Sequence, residues 1–479
     1  MVSLHSTSPP ALDGPRDRPL RLALISPKGP LYRRGGIFKQ SLRYMPLTLP
    51  TLAALIPEDL PVELTCLDEG HGDVVPADLE VDLVGMTVIT GTARRAYELA
   101  ETFRRRGVAV VLGGPHVTLV PDDAAPHGDA IVVGYAEETW PRLLRDFFAG
   151  RMAPRYDQGP DLELTGYPLP DRSVLPRRHY LTADVFEATR SCVHACEFCV
   201  APSAWGRRPL QKPVEAVVED LKRQRAKRAI FIDLNLIADR AYARRLFRAL
   251  IPLKISWYGL STVLVAEDRD LLDLLQESGC RGLLLGLESI VAANLEGVRK
   301  GFNRPQEFAR VVERLHRRKI SIQGCFVFGM DEDDPETCLE TARQAVELGI
   351  DLPRFAIATP FPGTPLYRRL DAEGRILTRD WERYDGQHAV FRPARMSPQE
   401  LERATEAAWR TAYSWRGIAR RLVRTAAPWP VAVLTNLGYR HYAHNLARFY
   451  TCDWAEALDP FSTLAPKPPV SPSLPGEAS

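Results

Sequence analysis

Three cysteines, Cys192, Cys196 and Cys199, lie close together in the chain with the spacing C-x3-C-x2-C. They follow directly on an apolar segment that has the composition of a strand. Cysteine thiolates hold iron–sulfur clusters, and a [4Fe–4S] cluster normally takes four of them. Three thiolates at this spacing therefore predict a cluster in which one iron stays open to a small chelating molecule.

Two other uses of these cysteines have to be weighed. A structural zinc site needs four ligands, usually in paired knuckles, and no second cysteine pair lies nearby. His194 could be a fourth ligand, but in the middle of the loop it is expected to be exposed. A disulfide framework is disfavoured because 8 cysteines in 479 residues are sparse and scattered. The five remaining cysteines are expected to be small buried apolar residues, and Cys325 alone could serve as a hydrogen-atom donor.

The run from Arg190 to Cys199, with the aromatic Phe198 directly before its last cysteine, resembles the signature loop of radical S-adenosylmethionine (SAM) enzymes. The resemblance implies that the amino and carboxylate groups of SAM occupy the open iron. It also implies that an electron from the cluster cleaves SAM to a 5′-deoxyadenosyl radical, with Phe198 beside the bound SAM.

At 479 residues, the chain is long enough for two or three domains. It is 45% hydrophobic and 25% charged with a net charge of +2, which gives no basic footprint for nucleic acid. No apolar run reaches the ~20 residues that span a bilayer, and the N-terminus lacks the apolar core of a secretion signal. Residues 1–18 and 465–479 are predicted to be disordered tails. An oxygen-sensitive cluster with unpaired cysteines predicts a cytoplasmic protein.

A first domain is predicted over residues 19–155, where apolar strands alternate with helical stretches such as Ala93–Arg106. This alternation indicates a parallel sheet covered on both faces, and hence a doubly wound, flavodoxin-like (Rossmann-type) fold. In such folds, ligands bind at the carboxyl ends of the strands. The predicted strands are Leu22–Ile25, Val62–Leu67, Leu83–Thr87, Val108–Leu112 and Ala130–Val133.

Glycines and polar residues follow three of these strands, where a ligand would lie. Glycine allows a close approach of the backbone to a large cofactor, although it also makes tight turns without any function. The candidate ligand-binding residues are Thr87, Thr90, Gly113, Gly114, Gly134 and Glu137.

Directly before the cysteine loop, this arrangement resembles the cobalamin-binding domain of the B12-dependent radical SAM family, from Arg21 to Phe148. The resemblance implies bound cobalamin. The Asp-x-His-x-x-Gly motif, which donates a histidine to cobalt, is absent, and Asp68–Asp73 has the wrong spacing. Cobalamin could therefore bind without a protein imidazole beneath cobalt, or the domain could persist as a scaffold without it.

A second domain is predicted over residues 171–385 from six strand–helix repeats. Six such units with right-handed crossovers indicate a partial (β/α)6 TIM barrel, the fold that the radical SAM family uses. Functional residues of such barrels lie at the carboxyl ends of the strands. The predicted strands are Asp184–Thr189, Ala229–Leu234, Ile255–Ser261, Gly282–Glu288, Ile320–Phe328 and Phe355–Thr359.

Unusual residues follow several of these strands. Asp233 and Asn235 could meet the amino group of SAM or the substrate, and Glu288 could contact the SAM ribose or amine. The fifth strand resembles the adenine-contacting segment of the family, and a Pro-Gly-Thr turn follows the sixth. Asp233 and Glu288 could instead simply cap the helices after them. The candidates on the fifth strand are Gly324, Phe326 and Gly329.

A third, helical region is predicted over residues 396–463, beginning with a capping box at Ser397 and Glu400. Aromatic residues and arginines are interleaved further along. They can pack aromatics against the barrel with arginines in water, or they can form a peripheral contact with an anionic membrane. A membrane contact would suit a lipid-like substrate.

Together these patterns predict a cobalamin-dependent, class B-type radical SAM enzyme that functionalises an unactivated carbon of a small molecule. C-methylation of a lipid-like or natural-product substrate is the favoured reaction. The alternatives are radical ring formation or rearrangement without methyl transfer, and a non-catalytic cobalamin or redox sensor. A flavodoxin or ferredoxin is the expected electron donor.

Overall fold

The first domain contains a six-stranded parallel sheet with the strand order β2-β1-β3-β4-β5-β6. The computed structural model describes residues 18–29, 44–159 and 161–446. The first five strands have the flavodoxin-like order, which confirms the predicted fold class. β6, whose only buried residue is Tyr156, was not predicted. The strands are β1 Leu20–Ser26, β2 Val62–Asp68, β3 Leu83–Thr87, β4 Ala109–Gly113, β5 Ala130–Val133 and β6 Arg155–Asp157.

Helices cover both faces of this sheet, and each face has its own apolar core. Strands buried on both faces are expected to be nearly continuous apolar runs, as β1 is with six of seven residues buried. The helices are α1 Thr48–Ala54, α2 Ala93–Arg105, α3 Pro115–Leu119, α4 Pro121–Ala124 and α5 Thr139–Phe148.

The second domain is an open barrel of six parallel strands in the order β14-β13-β12-β11-β10-β7, which confirms the partial TIM barrel. A short antiparallel pair, β8 and β9, lies beside the cysteine loop. The strands are β7 Val185–Phe186, β8 Thr189–Arg190, β9 Leu210–Gln211, β10 Arg228–Phe231, β11 Ser256–Ser261, β12 Cys280–Glu288, β13 Ser321–Phe328 and β14 Leu352–Ile357.

Two strand predictions in the barrel were wrong in detail. The predicted strand Asp184–Thr189 is split in two, because Asp233 accepts hydrogen bonds from the backbone N–H groups of Ala188 and Thr189 in place of a neighbouring strand. The sixth strand begins earlier than predicted and includes Pro353, which is tolerated because β14 is an edge strand.

Helices pack against the outer face of the barrel around one large apolar core. Two of them, α7 and α11, follow from apolar residues spaced i, i+3, i+4, i+7, which predict an amphipathic helix. These residues are Val214, Val217, Val218 and Leu221 in α7, and Phe308, Val311, Val312 and Leu315 in α11. The helices are α6 Val200–Trp205, α7 Val214–Arg223, α8 Arg240–Leu250, α9 Arg269–Glu277, α10 Ala292–Gly297, α11 Phe308–His316, α12 Pro335–Glu347 and α13 Pro365–Ala372.

Three helices, α14 Pro398–Ala412, α15 Trp415–Leu422 and α16 Trp429–Ala443, follow the barrel. The predicted capping box is present, with reciprocal hydrogen bonds between Ser397 and Glu400. The indole N–H of Trp409 donates to the carbonyl of Phe355, which anchors α14 to the edge strand.

No helix in the described part of the chain is long and apolar enough to cross a membrane. The prediction of helices up to residue 463 falls partly outside the described residues, from 447 onward. The predicted tails also lie outside them, apart from Arg18.

Candidate active site

The cysteine loop lies between β8 and α6 at the mouth of the barrel. Cys196 is buried, Cys192 and Cys199 are half-buried, and all three are free thiols. The N–H of Cys199 donates to the carbonyl of Cys196 at 3.1 Å, which folds the loop back on itself. Cys199 also stands directly before the first residue of α6, with its thiol close to the positive end of that helix.

The chemistry of this loop fits an iron–sulfur cluster better than a single metal ion. Burial raises the pKa of Cys196 to about 11 and also raises that of Cys199, so metal binding must release their protons. Within the described residues, no three Cys, His, Asp or Glu side chains are close enough to hold one ion. A cluster does not require that closeness, because each thiolate binds a different iron.

Asn235 and Asp233 both support the cysteine loop. The side-chain N–H of Asn235 lies 3.8 Å from the sulfur of Cys192, within the range for a hydrogen bond to sulfur. Asp233 is buried and accepts from the N–H of Ala188 at 3.0 Å and from that of Thr189. Burial and the nearby carboxylate of Glu187 raise the pKa of Asp233 to about 7. Its carboxylate therefore positions the strand that leads into the loop, and contact with SAM stays a prediction.

Glu288 forms a buried ion pair with Lys300, with Oε1 and Nζ 2.5 Å apart. Burial works against the charge of Lys300, yet Glu288 and Cys196 together raise the pKa of its ammonium group. Lys300 thus brings a positive charge close to the thiols of Cys196 and Cys199. Glu288 has a φ of 66° and lies at a register shift between β12 and β13. Such strain in a non-glycine residue is concentrated at functional sites.

A cavity of about 200 Å³ adjoins the cysteine loop and the end of β13. It is lined by Phe198 on one side and by Gly329 and Met330 on the other. Gly324 and Phe326, predicted with Gly329, do not line it, because both face the helix-covered core. Of the three candidates on this strand, the structure brings only Gly329 next to Phe198.

The turn after β13 is held by a buried network that was not predicted. Asp333 accepts from the N–H of Gly329 at 2.9 Å and from that of Met330 at 3.1 Å, and the amide of Asn294 donates to it at 2.7 Å. The oxygen of Asn294 accepts from the N–H of Glu332. An Asp two residues before Pro335 looks like an ordinary helix cap, so the sequence carried no separate signal.

Thr262, at the end of β11, is a second residue that sequence reasoning missed. Its hydroxyl is buried and has no hydrogen-bond partner among the described residues. Buried polar atoms are nearly always paired in native structures, so an unpaired hydroxyl at the mouth of the barrel suits a bound ligand.

In the first domain, the predicted ligand-binding residues gather at the carboxyl edge of the sheet. Thr87 is half-exposed, whereas Thr90 is buried and lies 3.3 Å from the ring of the buried His116. Gly114 has a φ of 103°, and a side chain there would lie 2.8 Å from the backbone of Val88. This glycine is required by the fold itself, whatever it binds.

Gly113 and Gly134 belong to the same edge. A side chain on Gly113 would make only an ordinary contact with Val132. Gly134 has a φ of 89°, and a side chain on it would collide with Gln158 at 2.6 Å. Of these glycines, Gly113 therefore leaves room beside the backbone for a ligand at the end of β4, whereas Gly114 and Gly134 are required by their own neighbours in the fold.

Glu137, predicted to bind a cofactor, reaches the barrel. Its carboxylate lies 2.5 Å from the guanidinium of Arg190, two residues before Cys192, and the side chains of Glu137 and Arg190 are 5% and 11% exposed. Arg190 also pairs with Glu187 and lies over the ring of Tyr135. Tyr135 in turn stacks on Trp205 at 5.2 Å.

Two further contacts join the same sheet edge to the barrel. The Pro-Gly-Thr turn after β14 abuts the loop after β4, because a side chain on Gly363 would lie 2.8 Å from the carbonyl oxygen of Leu119. His116 packs edge-on against Trp381 at 5.7 Å. The edge of the sheet and the mouth of the barrel therefore face each other.

The expectation that His194 is exposed was wrong. Its ring stacks on Phe302 at 4.1 Å, and burial lowers its pKa. Cys325 lies on β13 opposite Gly286 and Arg354 of the adjacent strands, and burial raises the pKa of its thiol to about 11. Its use as a hydrogen-atom donor stays a prediction.

Comparisons with known families agree with this two-part site. A model of the B12 binding domain matches residues 46–144, and a model of the radical SAM superfamily matches residues 186–345. The two matches cover the sheet edge and the cysteine loop respectively.

Individual relatives match over most of their length. The chain is 30% identical to bacteriochlorophyllide d C-8(2)-methyltransferase of Chlorobaculum tepidum over 84% of this chain and 93% of that protein. It is 29% identical to the C-12(1)-methyltransferase of the same organism, over 80% and 86%. TsrM of Kitasatospora setae, solved with cobalamin and a [4Fe–4S] cluster, has a similar fold, with a TM-score of 0.64, 17% identity, and 90% and 100% coverage.

Proposed function

The chain belongs to the B12-binding radical SAM enzymes, and we propose that within this family it is a C-methyltransferase acting on a lipid-like or natural-product substrate. The ion pair between Glu137 and Arg190 carries the proposal. It ties the cobalamin-binding edge of the sheet to the loop of cluster cysteines, so that a methyl donor and a radical generator would face one substrate. The two Chlorobaculum tepidum relatives are named as methyltransferases of bacteriochlorophyllide d.

The residues have separate tasks in this proposal. The cluster and SAM would supply a hydrogen-abstracting radical, and cobalamin the methyl group. Cys192, Cys196 and Cys199 would hold the cluster. Asn235 would donate a hydrogen bond to the sulfur of Cys192. Lys300 would offset the negative charge of the thiolates from its pair with Glu288.

Phe198 and the turn at Gly329 would enclose the adenine of SAM between them, since both line the same cavity. Asp333 would keep that turn in place through its two backbone hydrogen bonds. The end of β4, where Gly113 leaves room beside the backbone, would support one face of cobalamin.

The substrate would enter the open face of the barrel. Along β10 to β14, one set of side chains is buried against the helices, and the alternate set faces the lumen. Most of the side chains in the lumen-facing set below are apolar; Tyr258 is 41% exposed, and the others are half-buried. An apolar concave surface of this kind suits a lipid-like or polycyclic molecule. The lumen-facing set includes Ile230, Tyr258, Leu260, Leu284, Cys325 and Val327.

Isotope-labelled SAM tests the reaction type. We expect anaerobically reconstituted protein, given a reductant, cobalamin, methyl-labelled SAM and an extract of cells lacking the protein, to transfer the label to carbon in one metabolite. Cys196→Ala should abolish the transfer, and Cys338→Ala, which alters a buried cysteine on α12, should not. A modified metabolite without label would instead indicate ring formation or rearrangement. Absence of both SAM cleavage and modification would leave the sensor function.

We also propose a cytoplasmic location and a flavodoxin or ferredoxin as electron donor, because the cluster requires a low-potential reductant. We propose in addition that the C-terminal helices make a peripheral contact with a membrane, because this contact would bring the barrel to an apolar substrate. Both partners can be tested with the purified protein, by following cluster reduction and vesicle binding.

A further inference from the structure

Helix α16 is apolar on both of its faces. One face packs against α14 and α15 through Ala432 and Tyr442, which are 3% and 6% exposed. The other face carries Val431, Leu434 and Leu437, which are 48%, 73% and 42% exposed. A helix surface that faces water normally carries polar and charged residues, so the three exposed apolar side chains of α16 suit a further apolar contact.

Further exposed apolar side chains lie at the start of α16 and along α15. Trp429 and Trp415 are 64% and 63% exposed, and Val423, just after α15, is 87% exposed. Large apolar side chains exposed together mark an interaction surface far better than scattered ones do. We call this set the C-terminal apolar face; it consists of Trp415, Val423, Trp429, Val431, Leu434 and Leu437.

A row of arginines borders this face. Arg416, Arg420 and Arg424 are exposed and recur at every fourth residue of α15 and the turn after it, so they lie on one side. Residues 415–446 contain no aspartate or glutamate. The carboxylate that approaches the row belongs to Glu347 of α12, 3.9 Å from Arg420. The charge of the row is therefore largely uncompensated.

The C-terminal apolar face is held in a fixed position. The buried guanidinium of Arg421 donates to the side-chain oxygen of Asn436 at 2.6 Å, joining α15 to α16. Arg440 donates to the carbonyl of Tyr413 at 2.8 Å and lies 4.2 Å from the ring of Trp415. The apolar side chains and the arginines thus belong to one rigid surface.

We propose that the C-terminal apolar face and its arginine row bind the surface of an anionic phospholipid membrane. Exposed tryptophans and aliphatic residues beside arginines are the combination that inserts into the headgroup region while basic groups contact anionic lipids. α16 is about 22 Å long, short of the ~30 Å hydrocarbon core, so it would lie in the membrane plane.

Charge favours this occupant over a second copy of the chain. In a two-fold symmetric pair, the same patch meets itself, so each arginine row would approach the partner's row with Glu347 as its neighbouring carboxylate. The inference deepens the membrane contact proposed above. It does not depend on methyl transfer, so either proposal can fail while the other stands.

Vesicle sedimentation with the full-length, reconstituted protein tests this inference. We expect the wild-type protein to bind vesicles of phosphatidylcholine with about 30% phosphatidylglycerol at least tenfold more strongly than pure phosphatidylcholine. The preference should weaken as salt is added. The double variant Trp429→Ser/Leu434→Ser and the double variant Arg416→Gln/Arg420→Gln should each weaken binding about tenfold. Val74→Ser, an equally exposed apolar residue of the first domain, is the matched control and should bind as the wild type does.

The variants change exposed side chains, and an unchanged circular dichroism spectrum and iron content would show that they fold. Wild-type protein that does not prefer anionic vesicles, or folded variants that bind like the wild type, would overturn the inference. So would a wild-type dimer in sedimentation equilibrium that Trp429→Ser/Leu434→Ser converts to a monomer, because the face would then be a self-interface.

Discussion

Single residues around the three cysteines set the electrostatic environment of the loop. Asn235 donates toward the sulfur of Cys192, and Lys300 brings a buried positive charge to Cys196. Both contacts stabilise negative charge on sulfur, and an iron–sulfur cluster gains negative charge when it is reduced. These neighbours should therefore control how easily the cluster accepts an electron.

Asn235→Ala should lower the reduction potential of the cluster. A hydrogen bond of about 1 kcal/mol corresponds to roughly 40 mV for a one-electron couple, so a drop of that order is expected. An EPR-monitored redox titration of the reconstituted protein measures it. Asn445→Ala, an asparagine at the end of α16, is the control and should not shift the potential. An unchanged or raised potential in Asn235→Ala would contradict the contact.

Asp333 should make the stability of the protein depend on pH. Burial raises its pKa to about 7, so the folded protein holds a proton on Asp333 between about pH 4 and 7 that the unfolded chain releases. Stability contributed by this group is therefore present at low pH and falls as pH rises through that range.

Urea unfolding of the cluster-free protein at pH 5 and pH 8 measures this effect. Between pH 5 and pH 8, the wild type should lose about 2–3 kcal/mol more unfolding free energy than Asp333→Asn does. This figure follows from about 1.4 kcal/mol for each pH unit between pH 5 and the pKa of about 7. Asp270→Asn, at an exposed site on α9, should keep the wild-type difference. If the unfolding free energies of the wild type and of Asp333→Asn changed by the same amount between pH 5 and pH 8, Asp333 would be ionised over the whole range.

Among the structural elements, the loop after β4 depends most on its backbone. Gly114→Ala should destabilise the first domain by about 1–3 kcal/mol, because it combines a positive φ with a 2.8 Å approach to Val88. Gly72→Ala is a matched control, since Gly72 has a φ of 110° but nothing within 4 Å of its Cβ position. Thermal unfolding should show a larger loss for Gly114→Ala. Equal losses would mean that backbone strain alone, without the collision, sets the cost.

Elements that bury a periodic apolar pattern could be predicted from the sequence. β3 and β5 were predicted with the bounds that the structure shows, and the bounds of α2 differ by one residue. Elements whose bounds depend on one contact with a distant part of the chain could not be predicted in this way. The split of the first barrel strand rests on Asp233, 44 residues further along than Thr189. The early start of β14 rests on its position at the edge of the sheet.

The same distinction applies to the candidate site. The cysteines could be predicted because the spacing C-x3-C-x2-C by itself indicates ligands of an iron–sulfur cluster. Glu137, by contrast, has the sequence context of a ligand-binding turn, whereas its partner Arg190 lies 53 residues away. The hydroxyl of Thr262 became a candidate only once its burial without a partner was known.

At the scale of the whole molecule, the two halves of the site are joined by contacts of different kinds. Two segments of the first domain touch the barrel near the site. Helix α3 packs His116 against Trp381 and Leu119 against Gly363, and the loop after β5 pairs Glu137 with Arg190. Of these, the ion pair is the one that reaches directly into the segment before the cysteines. It should couple cobalamin binding to the position of the cluster loop.

Glu137→Gln tests this coupling, since it removes the charge but keeps the shape of the side chain. Arg190 retains Glu187 as a partner, so the cysteine loop should still hold its cluster, and the iron content should stay at the wild-type value. The loop at Gly134, released from Arg190, should retain cobalamin about tenfold less well, because removing one member of a buried pair is costly. Cobalamin retained after gel filtration, measured by its absorbance, and iron bound per chain give the two readouts. Glu138→Gln, at the exposed neighbouring position, should change neither. Loss of iron with cobalamin retained would place the role of Glu137 in the cluster loop instead of the cobalamin edge.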